Sequence, residues 1–296
     1  MNNYAFMRTH DIPAWFQNVV AQAGITNREL FEYVFGGDNT LLALSFVLNI
    51  ALAGFTILGI VYLGRNLTDP RAKMIAIALM LISVVSISSY SGLTSGLTLS
   101  IIEMPPGHPA EGATTAGEDG VLTMWGRYLT WTFSTPFILI ALGMIAGSNL
   151  TKILTTCAFT IAMCVTGLAA ALTTSSLVLR WWWFALGSVF FLVIVYVILV
   201  DWTAEARATG TSGLFRTLKI LTVVGWFGYP ILWVLGVEGL AVLDVAVTSW
   251  GYSILDIITK YIVTFIAMSY VAKEPDTITG GADYGASLPV VRTGNR

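Results

Sequence analysis

Seven long stretches of the chain consist almost entirely of apolar residues, and short polar segments separate them. They cover residues 39–63, 74–102, 121–151, 153–179, 181–200, 220–237 and 245–272. A helix needs about 20 mostly apolar residues to cross a bilayer, whereas the strands of a membrane barrel show alternating polarity over about 10 residues. No such alternation is present. The pattern therefore predicts an all-α membrane protein, a bundle of seven transmembrane helices in one domain.

Composition supports a membrane protein and excludes two other classes. Hydrophobic residues make up 56% of the 296 residues and charged residues only 11%, against about 25% charged residues in a soluble domain. A formal net charge of -2 argues against a nucleic-acid-binding protein, which needs clustered cations to neutralise phosphates. Cys157 and Cys164 lie about two turns apart on one predicted helix, too far for a disulfide. We interpret them as small core residues.

Loop charges predict the orientation in the cell membrane. The first loop carries Arg65, Arg71 and Lys73, and the fifth loop is also rich in basic residues, whereas the second and sixth loops are acidic. By the positive-inside rule the odd loops are cytoplasmic, which places the N-terminus outside and the C-terminus inside. Arg180 in the fourth turn is the exception among the even loops.

We divide the chain into three parts. Residues 1–38 form an extracellular segment without a signal peptide, in which Thr26 and Glu29 make a capping box that opens a short helix through Phe35. Residues 39–272 form the bundle. Residues 273–296, rich in Gly, Ser and Asp, are predicted to be a disordered cytoplasmic tail.

Three ionisable side chains fall inside the predicted spans: Arg127 in the third, and Asp256 and Lys260 in the seventh. Such residues at membrane depth are functional-site hypotheses by default. Asp256 and Lys260 are spaced i,i+4 and can meet, so a structural ion pair is one interpretation. Together with Arg127 they leave a net charge of about +1 in a low-dielectric bundle, which is costly. A bound anion would complete the site.

The third span offers a binding site for such an anion. Arg127, Thr130, Ser134, Ile138 and Ala141 fall on one stripe of the helix. The two hydroxyl groups can donate hydrogen bonds to a dehydrated halide. Alternatively, they bond back to carbonyl groups of their own helix.

Aromatic residues lie inside the spans rather than at the membrane interfaces where such rings usually anchor. Trp226, Tyr229 and Trp233 form one stripe on the sixth span, and Trp131 lies on the third. Aromatic rings around a buried lysine are typical of a site that binds a flat apolar ligand. The lysine amine readily forms a Schiff base. Plain aromatic packing between helices remains the alternative.

Several sequence blocks resemble the microbial rhodopsins. They are LDIITK at 255–260 and WFGYPILW at 226–233. The block MWGRYLTWTFSTP at 124–136 narrows the resemblance to the halorhodopsins, light-driven inward chloride pumps. Further similar blocks lie at 103–105, 163–174 and 236–239, and the resemblance covers roughly residues 28–272.

The resemblance implies all-trans retinal bound to Lys260 as a protonated Schiff base, with Asp256 as counterion held ionised by Tyr90 and Tyr229. It implies the following further pocket residues: Trp131, Thr135, Ile138, Met163, Gly167, Trp183, Phe184, Gly187, Trp226, Trp233 and Thr259. It implies the following chloride-binding and pathway residues: Arg127, Thr130, Ser134, Ala141, Lys219 and Thr222. Membrane lipids and two further copies of the chain, in a homotrimer, are the implied partners. The implied activity is ion transport, not enzyme catalysis.

The chain departs from the family pattern at three pocket positions. Thr160, Gly187 and Thr259 stand where many relatives carry aspartate, serine and alanine, which changes dipoles along the chromophore but not the transported ion. Because Thr259 also occurs in some sensory rhodopsins, a photoreceptor signalling through a transducer stays open as the alternative. A proton pump would lack carboxylates at Thr130 and Ala141. A receptor or carrier without retinal is the remaining alternative.

Overall fold

The structure, a computed structural model, describes residues 26–36, 39–275 and 277. The predicted extracellular segment before residue 26 and the predicted disordered tail from residue 278 lie outside these residues. The helices are α1 (Asn27–Phe35), α2 (Thr40–Gly64), α3 (Pro70–Thr94), α4 (Gly126–Ala146), α5 (Leu150–Leu172), α6 (Leu177–Tyr196), α7 (Trp202–Ala208), α8 (Ser212–Leu235), α9 (Val245–Asp256) and α10 (Val263–Lys273). The strands are β1 (Ser100–Ile102), β2 (Thr114–Thr115), β3 (Glu118–Asp119) and β4 (Val121–Thr123).

Seven helices of the described part of the chain are long and apolar enough to cross a membrane, which confirms the predicted fold class. The fifth span joins α6 to α7 through a π-helical turn, Val197–Asp201, and the seventh joins α9 to α10 through another, Ile257–Ile262. Such turns interrupt the regular α-helical hydrogen bonds and occur frequently at functional sites. The second of them carries Lys260.

The predicted second and third spans are wrong where they extend into the loop between them. α3 ends at Thr94, and β1 pairs antiparallel with β4, with Ser100 opposite Thr123. Leu99 and Leu122 of this hairpin are buried in the same cluster as Leu30 of α1. An apolar run that is buried by a hairpin looks like the end of a spanning helix when only hydrophobicity is counted.

The predicted limits of the fourth, fifth and sixth spans are also wrong. α5 ends at Leu172, the fifth span runs from Leu177 to Ala208, and α8 begins at Ser212. Arg180 and Lys219 therefore lie on spanning helices rather than in loops. The longer helices also contain acidic residues, so the prediction of only three ionisable residues within the spans is wrong.

Three of the additional charges near the helix ends are paired with one another. Lys152 Nζ lies 2.6 Å from Glu205 Oε1 and 3.6 Å from Asp201 Oδ2. The π-helical turn and the following α7 bring these two carboxylates to the same lysine. These groups do not enter the charge balance in the middle of the bundle.

The predicted capping box and short helix are confirmed in α1. Thr26 Oγ1 accepts from the Glu29 amide, and the Glu29 carboxylate accepts from the Thr26 amide at 2.7 Å. The helix packs over Gly96, whose φ of 74° is left-handed. A Cβ at Gly96 would lie 2.6 Å from the Asn27 carbonyl oxygen, so only glycine fits this contact.

The core has two main parts. The larger cluster surrounds Leu139, Trp202 and Met268, toward the end of the bundle where α4 finishes. The smaller one lies beneath α1 and contains Phe46 and Leu93. A third, aromatic cluster lies between α4, α5, α6 and α8, and it adjoins the candidate site.

Candidate functional site

A mostly apolar cavity lies inside the bundle and reaches Lys260. It contains about 800 Å³ of space not filled by atoms, counting its open part, which is within the usual range for ligand pockets. Its aromatic walls are well packed. The Phe184 and Trp233 rings stack with centroids 4.5 Å apart, and Trp131 meets Tyr229 edge-on at 5.2 Å.

The cavity brings together nearly all of the predicted pocket residues. Those that line it are Trp131, Thr135, Met163, Gly167, Phe184, Gly187, Trp226, Tyr229, Trp233 and Lys260. Ile138, Trp183 and Thr259 do not line it. Ile138 is buried in the larger core cluster, Trp183 packs against the aromatic cluster, and Thr259 is buried behind Tyr229. The family resemblance placed these three on helices that border the cavity but did not specify which way each side chain points in this chain.

Six further residues that were not predicted from the sequence also line the cavity. They are Tyr128, Cys164, Ser188, Phe191, Pro230 and Tyr252. For Tyr252 a signal was present, because it precedes Asp256 and Lys260 at helical spacings of four and eight and so shares their face. Its hydroxyl group is buried and has no hydrogen-bond partner among the described residues.

Lys260 and Asp256 meet across one turn of the seventh span. Nζ lies 2.8 Å from Asp256 Oδ2, and both side chains are 1% exposed. Tyr90 Oη donates to Oδ2 at 2.7 Å, and Tyr229 Oη donates to Oδ1 at 2.6 Å. Two phenolic donors on a carboxylate favour its charged form. Asp256 is therefore held as an anion beside the lysine.

Arg127 is the second buried cation of this group. Its side chain is 2% exposed, and Nη1 donates to Tyr90 Oη at 3.1 Å. Through that hydroxyl, Arg127 is linked to Asp256. One carboxylate thus faces two buried cations, and the net charge of about +1 inferred from the sequence persists in the folded centre.

The two hydroxyl groups on the third span behave differently. Thr130 Oγ1 donates to the Gly126 carbonyl at 3.1 Å and lies close to Ser89 Oγ. Ser134 Oγ is buried and has no partner among the described residues. A buried hydroxyl without a partner is costly, so Ser134 is the better donor for a bound anion. Thr130 instead bonds back to a carbonyl group of its own helix, which is the alternative stated from the sequence.

The predicted pathway residues lie farther along the bundle. Ala141 is buried on α4, and Thr222 Oγ1 on α8 is buried without a partner among the described residues. Lys219 Nζ donates to Thr203 Oγ1 at 2.9 Å. Lys219 and Thr222 therefore form a small polar set at this end of the bundle, where the carboxylates of Asp201 and Glu205 are paired with Lys152.

A buried ionic group at the opposite end was not anticipated from the sequence. Arg180 is 0% exposed, and Glu238 lies 7% exposed in the connection after α8. Tyr128 Oη donates to Glu238 Oε2 at 3.0 Å and accepts from Trp233 Nε1 at 2.9 Å. Burial raises the pKa of Glu238, while Arg180 and the hydrogen bond from Tyr128 act in the opposite direction. Since the two charges have opposite sign, they leave the balance at Lys260 unchanged.

Gly225 makes room for Thr259 behind the cavity, and this contact predicts a large effect of a small substitution. A Cβ on Gly225 would lie 2.3 Å from Thr259 Cγ2. The Thr259 hydroxyl donates to the Leu255 carbonyl at 2.8 Å and lies 3.1 Å from Tyr229 Oη. We expect Gly225→Ala to destabilise the protein by about 1–3 kcal/mol through overpacking, measured by thermal denaturation in detergent.

Two matched variants control this prediction. Thr259→Ala in the Gly225→Ala background should restore most of the stability, because it removes the clashing methyl group. Gly213→Ala on the same helix, where an added Cβ would meet nothing within 4 Å, should not destabilise. A Gly225→Ala protein as stable as the parent would show that the contact is not tight.

Comparison with known proteins agrees with this geometry. The family model described as bacteriorhodopsin-like protein matches residues 40–274. Halorhodopsin from Natronomonas pharaonis is 57% identical over 277 residues, covering 92% of this chain and 94% of the relative. A solved structure described as halorhodopsin, a light-driven chloride pump, matches with a TM-score of 0.76 at 48% identity, covering 81% of this chain and 98% of that chain. The bromide-bound form of halorhodopsin from Halobacterium salinarum matches with a TM-score of 0.76 at 49% identity, covering 81% of this chain and 97% of that chain.

The family model extends over the whole bundle, including every residue of the charged group around Lys260. The family model and the relatives both cover far more than half of the chain, and seven described helices are long and apolar enough to cross a membrane. The protein is therefore a multi-pass protein of the cell membrane. The chain belongs to the family of bacteriorhodopsin-like proteins and, within it, to the halorhodopsins.

Proposed function

We propose that the protein is a light-driven inward chloride pump with retinal bound covalently to Lys260. The observation that carries this proposal is the buried group of Lys260, Arg127 and Asp256, in which one carboxylate faces two cations. The Ser134 hydroxyl lies on the same stripe as Arg127 and has no partner among the described residues, so it supplies a donor for an anion. The relatives' description as chloride pumps agrees with this charge balance.

The residues present fit retinal. A buried amine lies at the wall of a cavity lined by Trp131, Trp226 and Trp233, and the carboxylate nearest to the amine is held ionised by two tyrosines. Aromatic walls suit a flat polyene, and the ionised carboxylate suits a protonated Schiff base. When bound, retinal supplies light absorption and an isomerisation that changes the direction of the N–H bond at Lys260.

The chain's own residues retain the proton at Lys260 Nζ. Asp256 stabilises the positive charge at 2.8 Å while Tyr90 and Tyr229 keep that carboxylate ionised. Thr130, one helical turn from Arg127, is not an acidic proton acceptor, and its hydroxyl is engaged with Gly126. The proton therefore stays on the nitrogen, and the anion is the species that moves.

The anion path follows the charges and free donors. Arg127 attracts chloride at the extracellular side, and Ser134 holds it near Lys260. Ala141 has a small side chain that would let chloride pass once the N–H donor at Lys260, whose direction bound retinal would change, no longer holds it. Thr222 and Lys219 then guide it toward the cytoplasm. This orientation, with the N-terminus outside, follows the loop charges.

The remaining proposals concern the assembly. The protein acts as a transporter rather than an enzyme, in contact with membrane lipids, and we propose that it forms a homotrimer like that implied by the family resemblance. Exposed apolar side chains such as Phe55, Leu58 and Val178 cover the outside of the bundle, which suits both lipids and neighbouring copies.

Removal of Lys260 tests the proposed function. We expect Lys260→Ala to abolish both the visible absorption that forms after addition of retinal and the light-driven chloride uptake of whole cells, because the only buried amine among the described residues of the cavity is gone. Lys73→Ala, at an exposed lysine, should keep both. Light-driven chloride uptake that survives Lys260→Ala would contradict the proposal.

A further inference from the structure

The hydrogen bonds that Arg127 makes to the described residues all go to neutral groups. Besides the contact with Tyr90, its Nη2 donates to Ser249 Oγ at 2.6 Å and to the Ser249 carbonyl at 3.2 Å. The guanidinium carbon lies 5.4–5.5 Å from the ring centroids of Phe46, Tyr90 and Tyr252. Among the described residues no carboxylate is within salt-bridge distance of Arg127. Its Nε is buried and has no hydrogen-bond partner in the part of the chain that the structure describes.

The hydrogen bonds beyond Arg127 can run in only one direction. Ser45 Oγ donates to the Leu42 carbonyl at 2.7 Å, and its oxygen lies 2.7 Å from Ser249 Oγ. A carbonyl only accepts and a serine carries one hydroxyl hydrogen, so Ser45 must accept from Ser249. Ser249 in turn accepts from Arg127. The order is therefore Arg127 to Ser249 to Ser45 to Leu42, linking the third, seventh and first spans.

This arrangement has an electrostatic consequence. Serine hydroxyls and a helix carbonyl orient the guanidinium without cancelling its charge, whereas a carboxylate at the same place would neutralise it. Three of the five N–H groups of Arg127 are engaged by the described residues, so the Nε–H and one Nη1–H are left for an incoming anion. The surrounding aromatic rings exclude water and hold the plane of the group.

We infer that Ser249, supported by Ser45, is the positioning residue that keeps Arg127 oriented and fully charged for anion uptake. The inference rests on the proposed chloride transport. Ser249 acts on the anion only through Arg127. Without its hydroxyl the guanidinium keeps only the longer bonds to the Ser249 carbonyl and to Tyr90, so it is held less firmly. Binding an anion must then restore the lost order.

Chloride titration of the purified, retinal-loaded protein, followed by the anion-dependent shift of its visible absorption, tests this role. We expect Ser249→Ala to raise the chloride dissociation constant roughly 10-fold, the size of one hydrogen bond to a charged group. Ser249→Thr, which keeps the hydroxyl, should restore most of the affinity. Ser249→Asp should weaken binding more than 100-fold, because it neutralises Arg127.

Ser253 provides a matched control. It is buried on the same helix and donates to the Ser45 carbonyl at 3.2 Å, but it makes no hydrogen bond to Arg127. Ser253→Ala should leave the dissociation constant within twofold of the parent. Ser45→Ala should weaken binding on its own and add nothing in the Ser249→Ala background, since it acts through the same chain.

The results of these titrations distinguish the positioning role of Ser249 from the proposed chloride transport. An unchanged or lower dissociation constant in Ser249→Ala, or additive effects of Ser45→Ala and Ser249→Ala, would overturn the positioning role while the pump proposal stands. A parent protein whose colour does not respond to chloride would overturn the anion site itself, and the positioning role with it. Equal weakening by Ser253→Ala would show a general packing effect and would also overturn the inference.

Discussion

Thr130→Asp is expected to abolish chloride dependence and to permit light-driven proton movement. The new carboxylate, one helical turn from Arg127, would cancel the net positive charge of the group of Lys260, Asp256 and Arg127. For charges about 4 Å apart at an effective dielectric of 20, the repulsion of an anion is about 4 kcal/mol, or on the order of 1,000-fold in affinity. The carboxylate also supplies the proton acceptor that the parent protein lacks at this position. Chloride titration of the visible absorption and light-induced pH changes measure the two effects.

The neutral variant Thr130→Asn separates charge from shape. It has nearly the same size as aspartate, so we expect its chloride dissociation constant to change by less than 10-fold. A Thr130→Asp protein that keeps the chloride dependence of its parent would contradict the charge balance from which the anion site is inferred.

Arg180→Met is expected to cause the largest loss of stability, about 3–5 kcal/mol. The arginine is completely buried, and it donates to the carbonyls of Glu238, Ala171 and Thr173 at 2.8–3.0 Å. Methionine fills much of the same volume but leaves these carbonyls without their donor and removes the cation near the Glu238 carboxylate. The rate of thermal bleaching in detergent, compared with the parent, measures the loss.

Two further variants identify the cause of that loss. Glu238→Gln in the Arg180→Met background should recover part of the stability, because it removes the uncompensated carboxylate. Arg180→Lys, which keeps the charge but lacks the planar set of donors, should fall between parent and Arg180→Met. Thermal bleaching of Arg180→Met as slow as in the parent would show that this buried network contributes little.

The general architecture could be predicted from the sequence because a bilayer imposes a length and an apolar composition on every span. The meeting of Asp256 and Lys260 also follows from local spacing, since one helical turn separates them. Most cavity residues were anticipated through the resemblance to microbial rhodopsins. Their inward direction, however, depends on helix rotation, as Ile138 and Thr259 show.

Contacts between distant segments could not be predicted. Leu99 and Leu122 read as parts of spanning helices, although they belong to a hairpin buried beneath α1. Arg180 was assigned to a loop because its partners, the carbonyls of Ala171 and Glu238, lie on other segments. Ser249 has no distinctive local pattern. Only the packing of the third span against the seventh brings it to Arg127.

The pH outside illuminated, retinal-supplied cells in unbuffered chloride, with and without a protonophore, tests the central claim most directly. Inward chloride transport makes the cell interior negative and draws protons in passively. We therefore predict alkalinisation of the medium that grows with protonophore and disappears when sulfate replaces chloride. Acidification that the protonophore abolishes, or no light-induced change in chloride, would contradict the account.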